Sequence, residues 1–348
     1  MAAPPTFPAA LLGRLEVLAA GRRNPNPSPM SPLPGSPHDL LLRAAFDANL
    51  RLIKKMVREL GGGGGEGEGR GAEKVRAFRD SNGISVPHVS AGRGKLPVCR
   101  YLVEELRLDV NAVSKEGAFG FHGRFDGGSV DVVQYLLDNG SDTETLIRTG
   151  LTPLVYAVGK GNCEIVQSLL SKGAHIDALT TVGAALHFAA HNGRDDMVKI
   201  LLDHHADHNK IAYGANRPLI YAIYARSLKC LKLLIEAGAD VQGIGTETPL
   251  ALAATYGLTD ILKCLVQAGA DPNVRDGFGF TPIENAARYS RREDVEILFP
   301  VTSRIPGVRD WSVDGIISYA KSKPVLKVLL KTIIIFINCF DCSCFLIQ

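Results

Sequence analysis

Apolar pairs return through the middle of this chain at a nearly constant pitch. They are Leu102-Val103, Leu136-Leu137, Leu169-Leu170, Leu201-Leu202, Leu234-Ile235 and Leu265-Val266. Alanine pairs such as Ala189-Ala190 and Ala253-Ala254, and glycines such as Gly161, Gly193 and Gly257, alternate with them. This spacing predicts short amphipathic helices in pairs. A tetrapeptide sets the pitch: Thr152-Pro153-Leu154-Val155, Ala184-Ala185-Leu186-His187, Arg217-Pro218-Leu219-Ile220, Thr248-Pro249-Leu250-Ala251 and Thr281-Pro282-Ile283-Glu284. Its last residues lie 32, 33, 31 and 33 positions apart. Extended upstream by spacing, the anchors also include His88 and His122.

Each recurring position has a physical reason. Proline at the first helical turn gives up an amide that has no helical partner. The threonine before it can cap free amides. The alanine pair lets one helix lie close to its neighbours. A glycine six positions after the anchor turns the chain. A glycine eighteen after it ends the second helix, with His205 standing there in one unit at a strain of about 1 kcal/mol. The apolar pair is expected to bury into the next unit, because no unit can bury its apolar face alone.

Organisation outside the repeats follows from composition. Residues 1–37 hold nine prolines and are expected as a disordered, extended leader. Met1–Arg23 has one acid and three arginines, as a transit peptide could, but is poor in serine. Leu41–Ala45 and Leu52–Val57 predict two helices of a degenerate first unit. Residues 61–72 are expected as a flexible Gly-rich insert, 301–324 as a linker and 325–348 as an apolar, cysteine-containing tail. Pro97 falls where a second helix should run, and Arg124-Phe125 replace the alanine pair in another unit. The units before residue 150 are therefore expected to exchange amide hydrogens faster than residues 150–290.

Charge and cysteine usage narrow the function classes. The 348 residues are 46% hydrophobic and 22% charged with a net charge of +3, which suits a packed core and gives no basic stripe for nucleic acid. Cys99, Cys163, Cys230 and Cys264 sit singly in predicted helices, as reduced thiols of a cytoplasmic or nuclear protein would. No uninterrupted apolar run reaches the roughly 18 residues of a membrane span.

The repeats resemble the ankyrin repeat family over roughly residues 40–300. The best stretch is Ala268-Gly269-Ala270-Asp271-Pro272-Asn273 followed by Gly279-Phe280-Thr281-Pro282-Ile283. The resemblance implies an all-α ankyrin-repeat solenoid of seven or eight stacked helix-turn-helix units with β-hairpin-like fingers. The linker residues Pro300–Ser303 and Asp310–Ile317 also resemble a plant group in which such repeats precede a tetratricopeptide co-chaperone-like domain. Here that domain is missing: Thr332–Cys339 fits no tetratricopeptide pattern.

In the family, variable residues lie at the finger tips and four and five positions after the anchor. They imply a protein-binding surface of Tyr213, Phe278 and Phe280 on the fingers, with His191, Asn192, Tyr224, Tyr256, Arg288 and Tyr289 on the helices. Exposed Tyr, Phe and Arg are the usual material of an interface hot spot.

Other chemistry is weakly supported. His187 and His191 share a helical face at metal-ligand spacing, with His204, His205 and His208 nearby, but without supporting Cys or Glu. Cys339, Cys342 and Cys344 have no second ligand pair. There is no nucleophile elbow and no phosphate-cradling loop. The expectation is a monomeric, non-enzymatic adaptor without cofactor or metal. Its partner is a protein of unknown identity rather than nucleic acid or membrane. The alternatives are a truncated isoform of a co-chaperone-like adaptor and a scaffold anchored by its tail.

Overall fold

The computed structural model describes residues 37–62, 67–79, 83–114, 117–118, 129–146, 150–212, 216–243 and 248–322. Residues 1–36 of the Pro-rich leader, His122, Arg124-Phe125 and the cysteine-containing tail lie outside them. The described residues fall into two compact units that divide between Asp207 and His208.

In the first unit, α1 (Pro37–Phe46) packs on α2 (Leu50–Gly61) and on α4 (Val86–Gly92), and α2 packs on α3 (Gly67–Ala77). α5 (Leu96–Arg100) runs on into a π-helical turn, Tyr101–Glu105. A short antiparallel ladder pairs β1 (Val113–Ser114) with β2 (Gly117–Ala118). Then come α6 (Val130–Asp138), α7 (Pro153–Lys160), α8 (Cys163–Ser171), α9 (Ala185–His191) and α10 (Asp195–Asp203). α7 and α9 pack side by side as inner helices, while α6, α8 and α10 pack in sequence as outer ones.

The second unit repeats this plan. Its inner helices are α11 (Pro218–Tyr224), α13 (Pro249–Tyr256), α15 (Pro282–Arg288) and α17 (Val313–Ser322), and each packs on the next. Its outer helices are α12 (Leu228–Glu236), α14 (Thr259–Gln267) and α16 (Arg292–Leu298). Both units are all-α stacks of helix pairs, as the repeat predicts.

The recurring residues do the expected work with one refinement. Thr152 and Thr248 accept from the amides of Val155 and Ala251 at 3.3 Å, capping α7 and α13. Where histidine holds the anchor, its Nδ1 takes the same place in reverse. His88 accepts from the Ser85 amide at 3.2 Å and His187 from the Ala184 amide at 3.3 Å. Ala189, Ala190, Ala253, Ala254, Ala286 and Ala287 are fully buried. Of each apolar pair, the first residue is fully buried. The second is half-buried in every pair but Leu136-Leu137. His205 adopts φ 63°, the left-handed conformation of the glycine it replaces.

Three expectations are corrected. Pro97 does not break the outer helix: it stands in the first turn of α5, where a missing amide costs nothing. The Gly-rich insert 61–72 is helical from Gly67 onward. Ala72 and Val75 bury against the first unit's core, and the Arg76 guanidinium donates to the Leu106 carbonyl at 2.6 and 3.0 Å. Gly71 passes so close to the Val57 carbonyl that any Cβ would overlap it. Finally, 301–324 is not merely a linker. Ser312 accepts from the Gly315 amide at 3.0 Å, as Thr152 does in its own repeat, and opens α17. Ile305, Val308, Ile316 and Ala320 are buried there.

Candidate functional site

The inner helices leave the side chains at their C-terminal ends half-buried or exposed. In the second unit those ends carry Tyr224, Tyr256 and Tyr289. Tyr224 and Tyr256 meet edge to face, with ring centroids 6.1 Å apart and planes at 70°. Both are half-buried, and Tyr289 is 38% exposed.

The finger before α15 is built on one carboxylate. Asp276 Oδ1 accepts from the amides of Phe278 at 2.9 Å and Phe280 at 3.0 Å, and Oδ2 accepts from the Asn285 side chain at 2.8 Å. This fixes Phe278 and Phe280, both half-buried, at the N-terminal side of α15. The Arg288 side chain runs back along that helix and stacks its guanidinium over Phe280, 4.2 Å from the ring centroid. Beneath the finger, buried Glu284 accepts from the Thr281 amide at 3.0 Å and from Arg275 at 3.2 Å.

Sequence-expected residues thus form two groupings in this unit, Tyr224 with Tyr256 and Phe280 with Arg288. Tyr289 keeps different company: the Arg291 guanidinium lies 5.7 Å from its ring centroid and donates to the Thr255 carbonyl at 3.0 Å. Tyr213 lies outside the described residues. His191 and Asn192 belong to the first unit. His191 is half-buried at the end of α9, and burial pushes its imidazole pKa down. The Asn192 side-chain amide donates to the Phe188 carbonyl at 2.7 Å, closing the helix. Among the described residues no His, Cys, Asp and Glu group is arranged to hold a metal ion. None of their helices is long and apolar enough to cross a membrane.

A polar ladder, absent from the sequence expectations, ties each repeat to the next. In the first unit the side chains of Asn111, Glu144 and Asp177 accept from the amides of Asp142, His175 and Asp207 at 2.7, 2.9 and 3.1 Å. In the second, Asn209, Gln242 and Asn273 accept from Asp240, Asp271 and Ser303 at 2.8, 2.9 and 2.8 Å. These positions recur at the repeat pitch, which is the signal that could have found them.

Comparison with known proteins decides the family. The family described as ankyrin repeats (3 copies) matches residues 122–180, 180–245 and 219–305, together more than half of the chain. The chain is an ankyrin repeat protein. It is 36% identical over 137 residues to the human ankyrin repeat and SOCS box protein 16, covering 38% of this chain and 30% of that one. It is 28% identical over 235 residues to ankyrin repeat protein nuc-2 of Neurospora crassa, covering 66% and 22%. It is 29% identical over 208 residues to the chicken nuclear factor NF-kappa-B p105 subunit, covering 48% and 21%. This ankyrin repeat protein spans less than a third of the length of each of these relatives. Its repeats mark it as a protein–protein interaction module.

Proposed function

We propose that this chain is a non-enzymatic adaptor of the cytoplasm or nucleus. It grips a protein partner with the ends of its inner helices and with its fingers, on the concave side of the repeats. The observation that carries this reading is the tyrosine row. Tyr224 and Tyr256 meet edge to face at the ends of successive inner helices, and Tyr289 stands exposed at the end of the next. Accessible aromatic rings in a row are the usual material of a protein-binding surface. Phe278, Phe280 and Arg288 extend the surface toward the finger. His191 and Asn192 serve at the same positions of their own repeat, Asn192 through its carbonyl oxygen because its amide is already engaged.

The test is proximity labelling in cells with the full chain and with the variant Tyr224→Ala, Tyr256→Ala, Tyr289→Ala. Hot-spot tyrosines are each worth about 2 kcal/mol, so the variant should lose its partner by at least about a hundredfold while melting near the parent temperature. Unchanged labelling, or collapse of the fold, would sink the proposal.

A further inference from the structure

We infer that the partner segment gripped by this face is an acidic peptide, whose carboxylates meet Arg226 and Arg288 while its apolar side chains lie on the tyrosines. The inference rests on the binding reading above and sharpens it. Its basis is how charge is distributed over the second unit. Lys and Arg number thirteen between His208 and Ser322, against twelve Asp and Glu, so net charge says nothing. Location does. Of the acids on the inner helices, Glu284 is 1% exposed and bonded to Arg275, and Asp314 pairs with Arg292 of α16 at 2.7 Å. On the fingers, Asp276 is engaged by the Phe278 and Phe280 amides and Asn285, Asp240 by Arg217, Asp271 by the Asn273 amide and side chain, and Asp310 by Ser312, while Glu247 lies outside the described residues. Glu293 and Glu296 lie on an outer helix, paired with Lys263 and Arg292.

Of the cations beside the aromatic row, Arg291 is held by the Thr255 carbonyl, which leaves two. Arg226 is exposed, two residues beyond Tyr224, and sits at φ 54° where other repeats have glycine. Arg288 lies over Phe280. Neither makes an ion pair among the described residues. The simpler account is that bases near helix C-termini answer the helix dipole. That covers the sign of the charge at Arg226. It does not cover Arg288, whose guanidinium is drawn back along α15 to the finger, away from the C-terminal carbonyls. A guanidinium already stacked on a ring keeps its N–H edge for an incoming carboxylate.

The probe is a random peptide library displayed on phage, panned on the full chain and depleted on the triple tyrosine variant. Selected peptides are then synthesised and titrated by fluorescence anisotropy. The expected selection is rich in Asp and Glu with apolar residues between them. Its affinity should fall about tenfold in the double variant Arg226→Glu, Arg288→Glu and survive in Arg226→Lys, Arg288→Lys. Binding should also weaken between about 0.05 and about 0.5 M salt. Circular dichroism checks that each variant folds. Selected peptides that are not acidic, or acidic ones indifferent to charge reversal, would overturn this inference and leave the protein-binding reading standing. No peptide that distinguishes the chain from its tyrosine variant would overturn that reading itself. An oligothymidylate that binds as tightly as the peptides, through the same arginines, would overturn the peptide in favour of nucleic acid.

Discussion

Arg291 reaches under the preceding repeat into space that only a glycine leaves free. Gly257 ends α13 at φ 64°, and a Cβ there would overlap the Arg291 guanidinium that holds the Thr255 carbonyl. Arg194 repeats the device, donating to the Gly159 carbonyl at 3.1 Å beside Gly161. Gly257→Ala should therefore cost about 1 kcal/mol for the left-handed backbone and about 1–2 kcal/mol more for displacing Arg291. In a double-mutant cycle with Arg291→Ala, urea unfolding should show the second part cancel; strict additivity would mean that the two residues do not meet. His191 gives a different handle. Burial lowers its folded pKa below the ordinary 6.5, so in the window just under that value the unfolded chain binds more protons. The stability that neutral His191 preserves is whole above 6.5 and drains away as the pH falls through the window. His191→Gln should flatten that loss, measured as urea midpoints at about pH 7.5 and about pH 5.5. An equal loss in parent and variant would show that His191 does not titrate there.

Between elements, two kinds of bond hold neighbouring repeats, and only one was legible in advance. The apolar pairs, alanine pairs and capping threonines announce themselves by residue type at a fixed pitch, and their burial follows. The polar ladder uses Asn, Gln, Asp and Glu interchangeably, since all the step needs is one acceptor oxygen. Its residue identity therefore drifts while its spacing does not. The same tolerance explains why α3 escaped notice: Gly67, Gly69 and Gly71 suggest a loop, whereas Ala72, Val75 and Arg76 supply the anchors that hold a helix. At the candidate site, the place of the tyrosines at the ends of the inner helices was legible from their spacing after the anchor. The pairing of Arg288 with Phe280 was not, because it depends on a side chain running back along its helix. Gln242 tests the ladder. It accepts from the Asp271 amide and donates to the Gly269 carbonyl at 2.9 Å. Gln242→Ala should cost about 1–2 kcal/mol and Gln242→Glu less, since the acceptor survives. If the alanine variant unfolds at the parent midpoint, the ladder is decoration. Hydrogen exchange tests the wider gradient. α5 is a five-residue helix that passes into a π-turn, so amides of α4 and α5 should exchange faster than those of α13 and α14.

At the scale of the molecule, a repeat array is held only through neighbours, so damage should stay local. The C-terminal end of the described chain offers a direct reading of this. Residues 303–322 continue the repeat in three respects: a ladder step from Asn273 to the Ser303 amide, a Ser312 cap, and an inner helix with Ile316 fully buried. The sequence hid this because Ser312-Val313-Asp314-Gly315 keeps the spacing of the tetrapeptide but lacks its proline and leucine. Trp311, the only tryptophan of the chain, stacks on Phe299 with ring centroids 5.5 Å apart and so reports on this end alone. Far-ultraviolet circular dichroism averages over all the helices. Ile316→Ala removes a fully buried side chain and should cost about 2–4 kcal/mol where it acts. If coupling is between neighbours only, the tryptophan fluorescence midpoint in urea should fall well below the dichroism midpoint, and the two should separate further than in the parent. Two midpoints that fall together would mean instead that α17 is bound into one cooperative unit with the repeats before it, and that its burial stabilises the whole aromatic face from Tyr224 to Tyr289.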